Sequence, residues 1–251
     1  MRSKYIRRIG ILCALFLILT AIAIGLVYSG AVLLNQPSES EYPVRGVDVS
    51  AYQGTVDWQT LSAQNIDFAF IKATEGGSFV DSCFAYNCAE AQKQPLSVGV
   101  YHFFSYDSSG VGQARHYIDT VASFDGMLPP VIDLEFYGDY EKNPPSRARV
   151  TGELQAMLDT LEQHYGVKPI IYATEKSYAL YLSGEYAQYD IWIRNVWTKP
   201  KLSDGRAWTF WQFTNREQFP GYTGQEKYID VNVFCDTAEE FQTYPRVRLE
   251  K

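Results

Sequence analysis

Histidine and cysteine are scarce. The 251 residues hold three histidines and four cysteines, with no Cys-x-x-Cys pair and no His-x-x-x-His spacing, so no ligand set for zinc is present. No metal or cofactor is expected. Cys13 falls in an apolar run, which leaves Cys83, Cys88 and Cys235, an odd number for a disulfide framework. A local bridge between Cys83 and Cys88 stays open. Clustered basic residues are also missing. Residues 1–40 carry Arg2, Lys4, Arg7 and Arg8 against Glu39, a balance of +3 within a total of -7, so the remainder stands at -10. Phosphate contacts need grouped Lys and Arg, and an acidic body with a basic tip excludes nucleic acid as partner. No internal repeat, low-complexity segment or composition break divides the chain after residue 43, which argues for one domain of ordinary core-forming composition.

One stretch lacks charge altogether. From Ile9 to Leu34 the chain runs 26 residues without one charge, and about 20 apolar residues cross a bilayer as a helix. A cleavable signal has a core of about 7 to 15 residues, so an uncleaved anchor is favoured; Ser29-Gly30-Ala31 offers a weak cleavage site as the alternative. The positive-inside rule puts residues 1–8 in the cytoplasm, the span at 9–34 and everything later outside. Residues 35–43, polar with two prolines, read as a linker, 44–241 as the domain and 242–251 as a tail.

What the domain does have is alternation. Short β-branched and aromatic runs at Arg45–Ser50, Phe68–Ala73, Ser97–Phe104, Pro130–Glu135, Pro169–Ala173, Asp190–Asn195, Thr209–Phe213 and Tyr228–Phe234 predict eight strands separated by amphipathic stretches. The clearest helix covers Ser146–Tyr165, with Val150, Leu154, Met157, Leu158 and Leu161 at helical spacing and Gly166 as stop. Helical signals fade between the last three strands. The expected fold is α/β: a flattened, irregular TIM-like barrel with few helices in its C-terminal third, closing on irregular or antiparallel strands. In such barrels functional groups gather at the carboxyl ends of the strands.

Two acids sit there in Asp133-Leu134-Glu135, where a period of two puts both side chains on one face. Desolvation of paired like charges raises at least one pKa and keeps a proton for general acid chemistry. Cleavage of a glycosidic bond needs such a donor, with a second carboxylate for the cationic centre or the nucleophile. The plainer alternative is an ion pair with Lys72 or Arg194. Asp48 on the first strand and Asp230 on the last become neighbours when a barrel closes, so four acids converge on one mouth. Lys72 and Glu75 are read as a structural pair.

The run Gly46-Val47-Asp48-Val49-Ser50, then Phe70-Ile71-Lys72-Ala73-Thr74-Glu75-Gly76, Gly99-Val100-Tyr101-His102-Phe103, Pro130-Val131-Ile132-Asp133-Leu134-Glu135, Trp211-Gln212-Phe213 and Ile229-Asp230-Val231-Asn232 resembles the family 25 glycoside hydrolases, the Chalaropsis-type lysozymes. The resemblance covers about residues 44–241 in order. It implies an N-acetylmuramidase cleaving the β-1,4 bond between N-acetylmuramic acid and N-acetylglucosamine in peptidoglycan. It further implies Glu135 as general acid, Asp133 supporting the substrate's own N-acetyl group, and Asp48 and Asp230 completing an acidic floor. Tyr101, Phe103, Tyr172, Trp192 and Trp211 are candidate sugar platforms, because rings offer flat apolar faces to pyranose C–H surfaces. The partners are then glycan strands and the membrane. A catalytically silent glycan-binding scaffold and a chitinase-like glycosidase remain as alternatives.

Overall fold

The computed structural model describes residues 2–249. Nine strands form one sheet: β1 (Arg45–Val49), β2 (Phe68–Glu75), β3 (Phe79–Val80), β4 (Ser97–Phe103), β5 (Val131–Leu134), β6 (Ile170–Thr174), β7 (Ile191–Arg194), β8 (Phe210–Glu217) and β9 (Ile229–Phe234). The order β1-β9-β8-β7-β6-β5-β4-β2-β3, with β1 also paired to β2, closes an eight-stranded barrel on which β3 is a short hairpin arm. β1, β2 and β4 to β8 run parallel. β9 alone is antiparallel to both its neighbours, which is how the expected irregular closure is realised. The helices are α1 (Arg2–Tyr28), α2 (Trp58–Ser62), α3 (Phe84–Ala91), α4 (Gly110–Thr120), α5 (Arg147–Tyr165), α6 (Glu175–Ser177) and α7 (Ala238–Thr243). None lies between β7 and β9.

The strand alternation sorts side chains into two cores. Inward positions supply Phe68, Phe70, Val131, Ile170, Trp192 and Phe210, which fill the barrel. Phe70 stacks on Trp192 with ring centroids 4.6 Å apart. Space for these rings comes from glycine: a Cβ at Gly46 would lie 2.3 Å from the Phe68 ring, and one at Gly99 would lie 2.5 Å from that of Phe70. Outward positions such as Val47, Ile71, Val100 and Ile132 meet the helices in the larger core. α5 buries Val150, Leu154, Met157, Leu158 and Leu161, as its periodicity requires, and ends on Gly166 at φ 70°.

The packed unit reaches past both expected bounds. Instead of a free linker, residues 35–43 form a strap on the barrel wall. Asn35 Nδ2 donates to Asn195 O at 3.2 Å, Arg45 Nη2 donates to Pro37 O at 2.9 Å, and Tyr42 is buried against Trp208 and Trp211. At the other end Val247 is buried, its amide donating to Met127 O at 2.8 Å. Cys83 and Cys88 are free thiols; Cys83 caps α3 and Cys88 packs inside it. The N-terminal helix contains a segment, Lys4–Tyr28, long enough to cross a membrane, whose most apolar 18-residue window has a mean hydropathy of 2.8 and is not buried at all.

Candidate active site

The parallel strands deliver their carboxyl ends to one rim, where a cleft of about 550 Å³ opens. Asp48, Asp133, Glu135 and Asp230 all line it. Asp48 and Asp230 face each other directly across the β1–β9 register. β5 ends at Leu134, so Glu135 stands one residue beyond the strand, half-buried at the rim, while Asp133 lies deeper. The four carboxyls therefore share one space, as the strand-end positions require.

Their protonation follows from that crowding. Burial, and then the charge of Glu135, push Asp133 well above the usual carboxylate range. Burial and then the charge of Asp48 do the same to Asp230. Glu135 is raised by burial, with the Arg194 guanidinium opposing. Asp48 is pushed up to about 6 by burial, partly offset by hydrogen bonds from two amides. Like charges this close do not all ionise near neutral pH, and protons are shared among them.

Asp48 is the best held of the four. Gln212 Nε2 and Asn232 Nδ2 donate to its Oδ2 at 2.9 and 2.8 Å. An indole N–H can only donate, so the 2.8 Å bond from Trp192 Nε1 to Asn232 Oδ1 turns that amide's nitrogen toward Asp48. Tyr172 OH donates to Gln212 Oε1 at 3.0 Å and does the same for the second amide. Asp133 is the reverse case: its Oδ1 is buried without a hydrogen-bond partner. An orphaned buried acceptor costs about 1–3 kcal/mol.

The basic residues do not neutralise the acid pair. Lys72 Nζ lies 2.7 Å from Glu75 Oε2 and 4.9 Å from the Phe103 ring centroid, the structural pair expected for it. Arg194 lines the cleft without an ion pair among the described residues. His102 points away from the cleft to Thr74 and Gln113 at 2.8 and 3.0 Å, and burial lowers its pKa to about 4.

The aromatic candidates divide. Tyr101 and Phe103 line the cleft and are partly exposed. Tyr172 and Trp192 line it too, but at 5% and 2% exposure they form its floor and spend their polar groups on the amides around Asp48. Trp211 corrects the expectation. Its strand position has the opposite parity, being paired with outward Ile193, so it packs on Tyr42, Trp208 and Phe213 in the outer core and donates to Asn195 O at 2.8 Å. Rings that the strand pattern did not suggest come from loops: Tyr52, 63% exposed, and the half-buried Phe136 and Tyr228. Gln212 and Asn232 were findable by parity, since each lies two positions from another inward residue, Phe210 and Asp230.

A barrel whose strand ends hold a half-buried carboxyl of raised pKa beside a second acid, with aromatic rings on the cleft wall, is a glycosidase architecture. The sequence profile described as glycosyl hydrolases family 25 matches residues 47–222. YegX of Escherichia coli (strain K12) is 35% identical over 210 residues, covering 82% of this chain and 74% of that one. Lysozyme M1 of Streptomyces globisporus is 28% identical over 213 residues, covering 78% and 69%. Among solved structures, a family 25 glycosyl hydrolase from Bacillus anthracis superposes with a TM-score of 0.80 at 53% identity, covering 84% of this chain and 96% of that one. A lysozyme from Streptomyces coelicolor gives 0.71 at 26% identity, covering 78% and 94%. The chain belongs to glycoside hydrolase family 25 and is a glycosidase of the muramidase type.

Proposed function

We propose that this enzyme hydrolyses the β-1,4 bond between N-acetylmuramic acid and N-acetylglucosamine in peptidoglycan from a membrane anchor, with Glu135 as general acid. The supporting observation is the pairing of an Asp133 oxygen, buried and without a partner, with a Glu135 whose pKa burial raises. The glycosidic oxygen takes its proton from Glu135 as the bond to the anomeric carbon breaks. The substrate's own acetamido oxygen closes on that carbon, and Asp133 holds the acetamido group through the oxygen that lacks a protein partner. Water activated by the Glu135 carboxylate then opens the cyclic intermediate and restores the proton. Asp48, fixed by Gln212 and Asn232, supplies negative potential for the cationic centre, with Asp230 opposite it sharing its proton. Tyr101, Phe103 and Tyr52 offer ring faces to the sugars.

Glu135→Gln keeps the shape and removes the proton. Release of new reducing ends from purified peptidoglycan falls by about 10²–10⁴-fold on this reading, and an unchanged rate refutes the assignment.

The segment Lys4–Tyr28 serves as an uncleaved anchor, with the basic tip inside and the barrel outside. Its support against signal cleavage is that the alternative site is already packed: Tyr228 OH donates to Ser29 O at 2.9 Å, and a Cβ at Gly30 would meet Arg216 O at 2.7 Å. Retention of the intact chain in membranes through high salt and alkaline carbonate is expected; release of a shortened chain refutes the anchor.

A further inference from the structure

The end of the apolar helix meets the barrel at an unexpected place. β1 starts at the bottom of the barrel, yet α1 ends at the opposite rim, where the cleft opens. Arg216 on β8 donates to Tyr28 O, with its guanidinium carbon 4.9 Å from the Tyr28 ring centroid and 5.6 Å from that of Tyr228. Tyr228 lines the cleft and holds Ser29. The strap from Gly30 to Tyr42 then descends the wall to reach β1. Residues 4–26 are exposed throughout, so the helix leaves the rim without lying along the barrel's flank.

The surface around that exit suits one environment. A recess of about 410 Å³ is lined by Ile24, Val27, Tyr28, Leu34, Trp197 and Arg216. Trp197 is 66% exposed and Tyr28 is 74% exposed. Beside it a smaller hollow of about 170 Å³ shares Arg194 and Asn215 with the cleft. Exposed indole and phenol rings beside an arginine, at the end of an apolar span, are the side chains that sit at a membrane–water interface. Lys227 adds a second cation on the same rim, with Nζ 5.3 Å from the Tyr228 ring centroid, in a domain that is otherwise acidic. Arg216 and Lys227 match the phosphate of a headgroup, and the recess matches the upper part of an acyl chain.

We propose that the cleft rim is itself a phospholipid-contacting surface: Trp197, Arg216 and Lys227 rest on the outer face of the bilayer, so the barrel is clamped with its cleft opening beside the membrane. The inference rests on the anchor reading and deepens it. A free tether would let the enzyme reach outward into the wall; a clamp presents the cleft to glycan lying at the membrane surface, including strands whose reducing end is still carried on a membrane lipid.

The test uses the full chain reconstituted in phosphatidylglycerol–phosphatidylcholine vesicles whose acyl chains are brominated near the headgroup. Three proteins are compared: the parent, Trp197→Phe, and a variant with 20 Gly/Ser residues inserted between Tyr28 and Ser29, a flexible segment with a reach of about 25 Å. Bromine quenching of tryptophan emission is expected in the parent and lost in both variants. The insertion variant is expected to stay in the vesicles, to cleave soluble glycan at the parental rate, and to slow several-fold on lipid-linked glycan. A membrane-retained parent without Trp197-dependent quenching overturns the clamp, as does an insertion variant that is still quenched. A parent washed off the vesicles by alkaline carbonate overturns the anchor reading and the clamp together.

Discussion

Asp48 shows how one carboxylate carries both a cost and a task. Its folded pKa of about 6 exceeds the ordinary 3.8 because it is buried, so the folded state binds its proton more tightly than the unfolded chain does. The stabilising contribution is therefore complete below pH 3.8 and is lost as pH climbs through 6, a swing of about 3 kcal/mol. Asp48→Asn removes the titration. The stability of the parent relative to the variant is expected to fall by up to that amount between pH 4 and 7, read as several degrees of melting temperature; a gap that does not change with pH contradicts the assignment. Glu135 sets the opposite limit on activity. Its raised pKa keeps the donor protonated further toward neutrality, and turnover declines as pH rises past it. At this scale the acids were legible because each ends or lies within an apolar run. Tyr52 was not, since a single aromatic residue in a turn carries no periodic signal.

At the scale of elements, parity did most of the sorting. Period two grouped Asp133 with Glu135 on the cleft side, and the same alternation places Tyr101 and Phe103 there. Applied to β8 it also excludes Trp211, whose neighbours Phe210 and Gln212 face inward. The seven parallel strands followed from β-branched and aromatic runs, and α5 from its apolar stripe. The direction of β9 was only partly legible, because strand propensity says nothing of orientation and the 218–228 connection has no helical signal. Close approach of α4 to α5 was illegible, since it depends on the missing Cβ of Gly110, which would fall 1.8 Å from the backbone oxygen of Glu153. Gly110→Ala is expected to cost about 3 kcal/mol or more, because a backbone atom cannot swing away as a side chain can. Gly152, inside α5 with nothing within 4 Å of its Cβ position, is the control: Gly152→Ala is expected to stabilise by about 0.5–1 kcal/mol. Chemical denaturation of the two variants reads both signs, and a tolerated Gly110→Ala contradicts the packing described.

Over the whole molecule, charge and the proposed anchor act together. The chain divides into a basic tip, an apolar span and a barrel carrying the acidic excess, six of whose acids line one cleft: Asp48, Asp133, Glu135 and Asp230 with Glu141 and Glu226. An acidic domain is repelled by anionic wall polymers, and the proposed anchor would offset that repulsion by holding the barrel near the membrane. The division of charge was legible from counting; the strap was not, because a short polar segment with two prolines looks the same whether it hangs free or packs on Trp208 and Trp211. The central claim is the bond that is cut. Purified peptidoglycan digested with the enzyme, reduced with borohydride and analysed by mass answers it directly. The account predicts new ends that are reduced N-acetylmuramic acid, absent after digestion with Glu135→Gln; reduced N-acetylglucosamine at the new ends would contradict it.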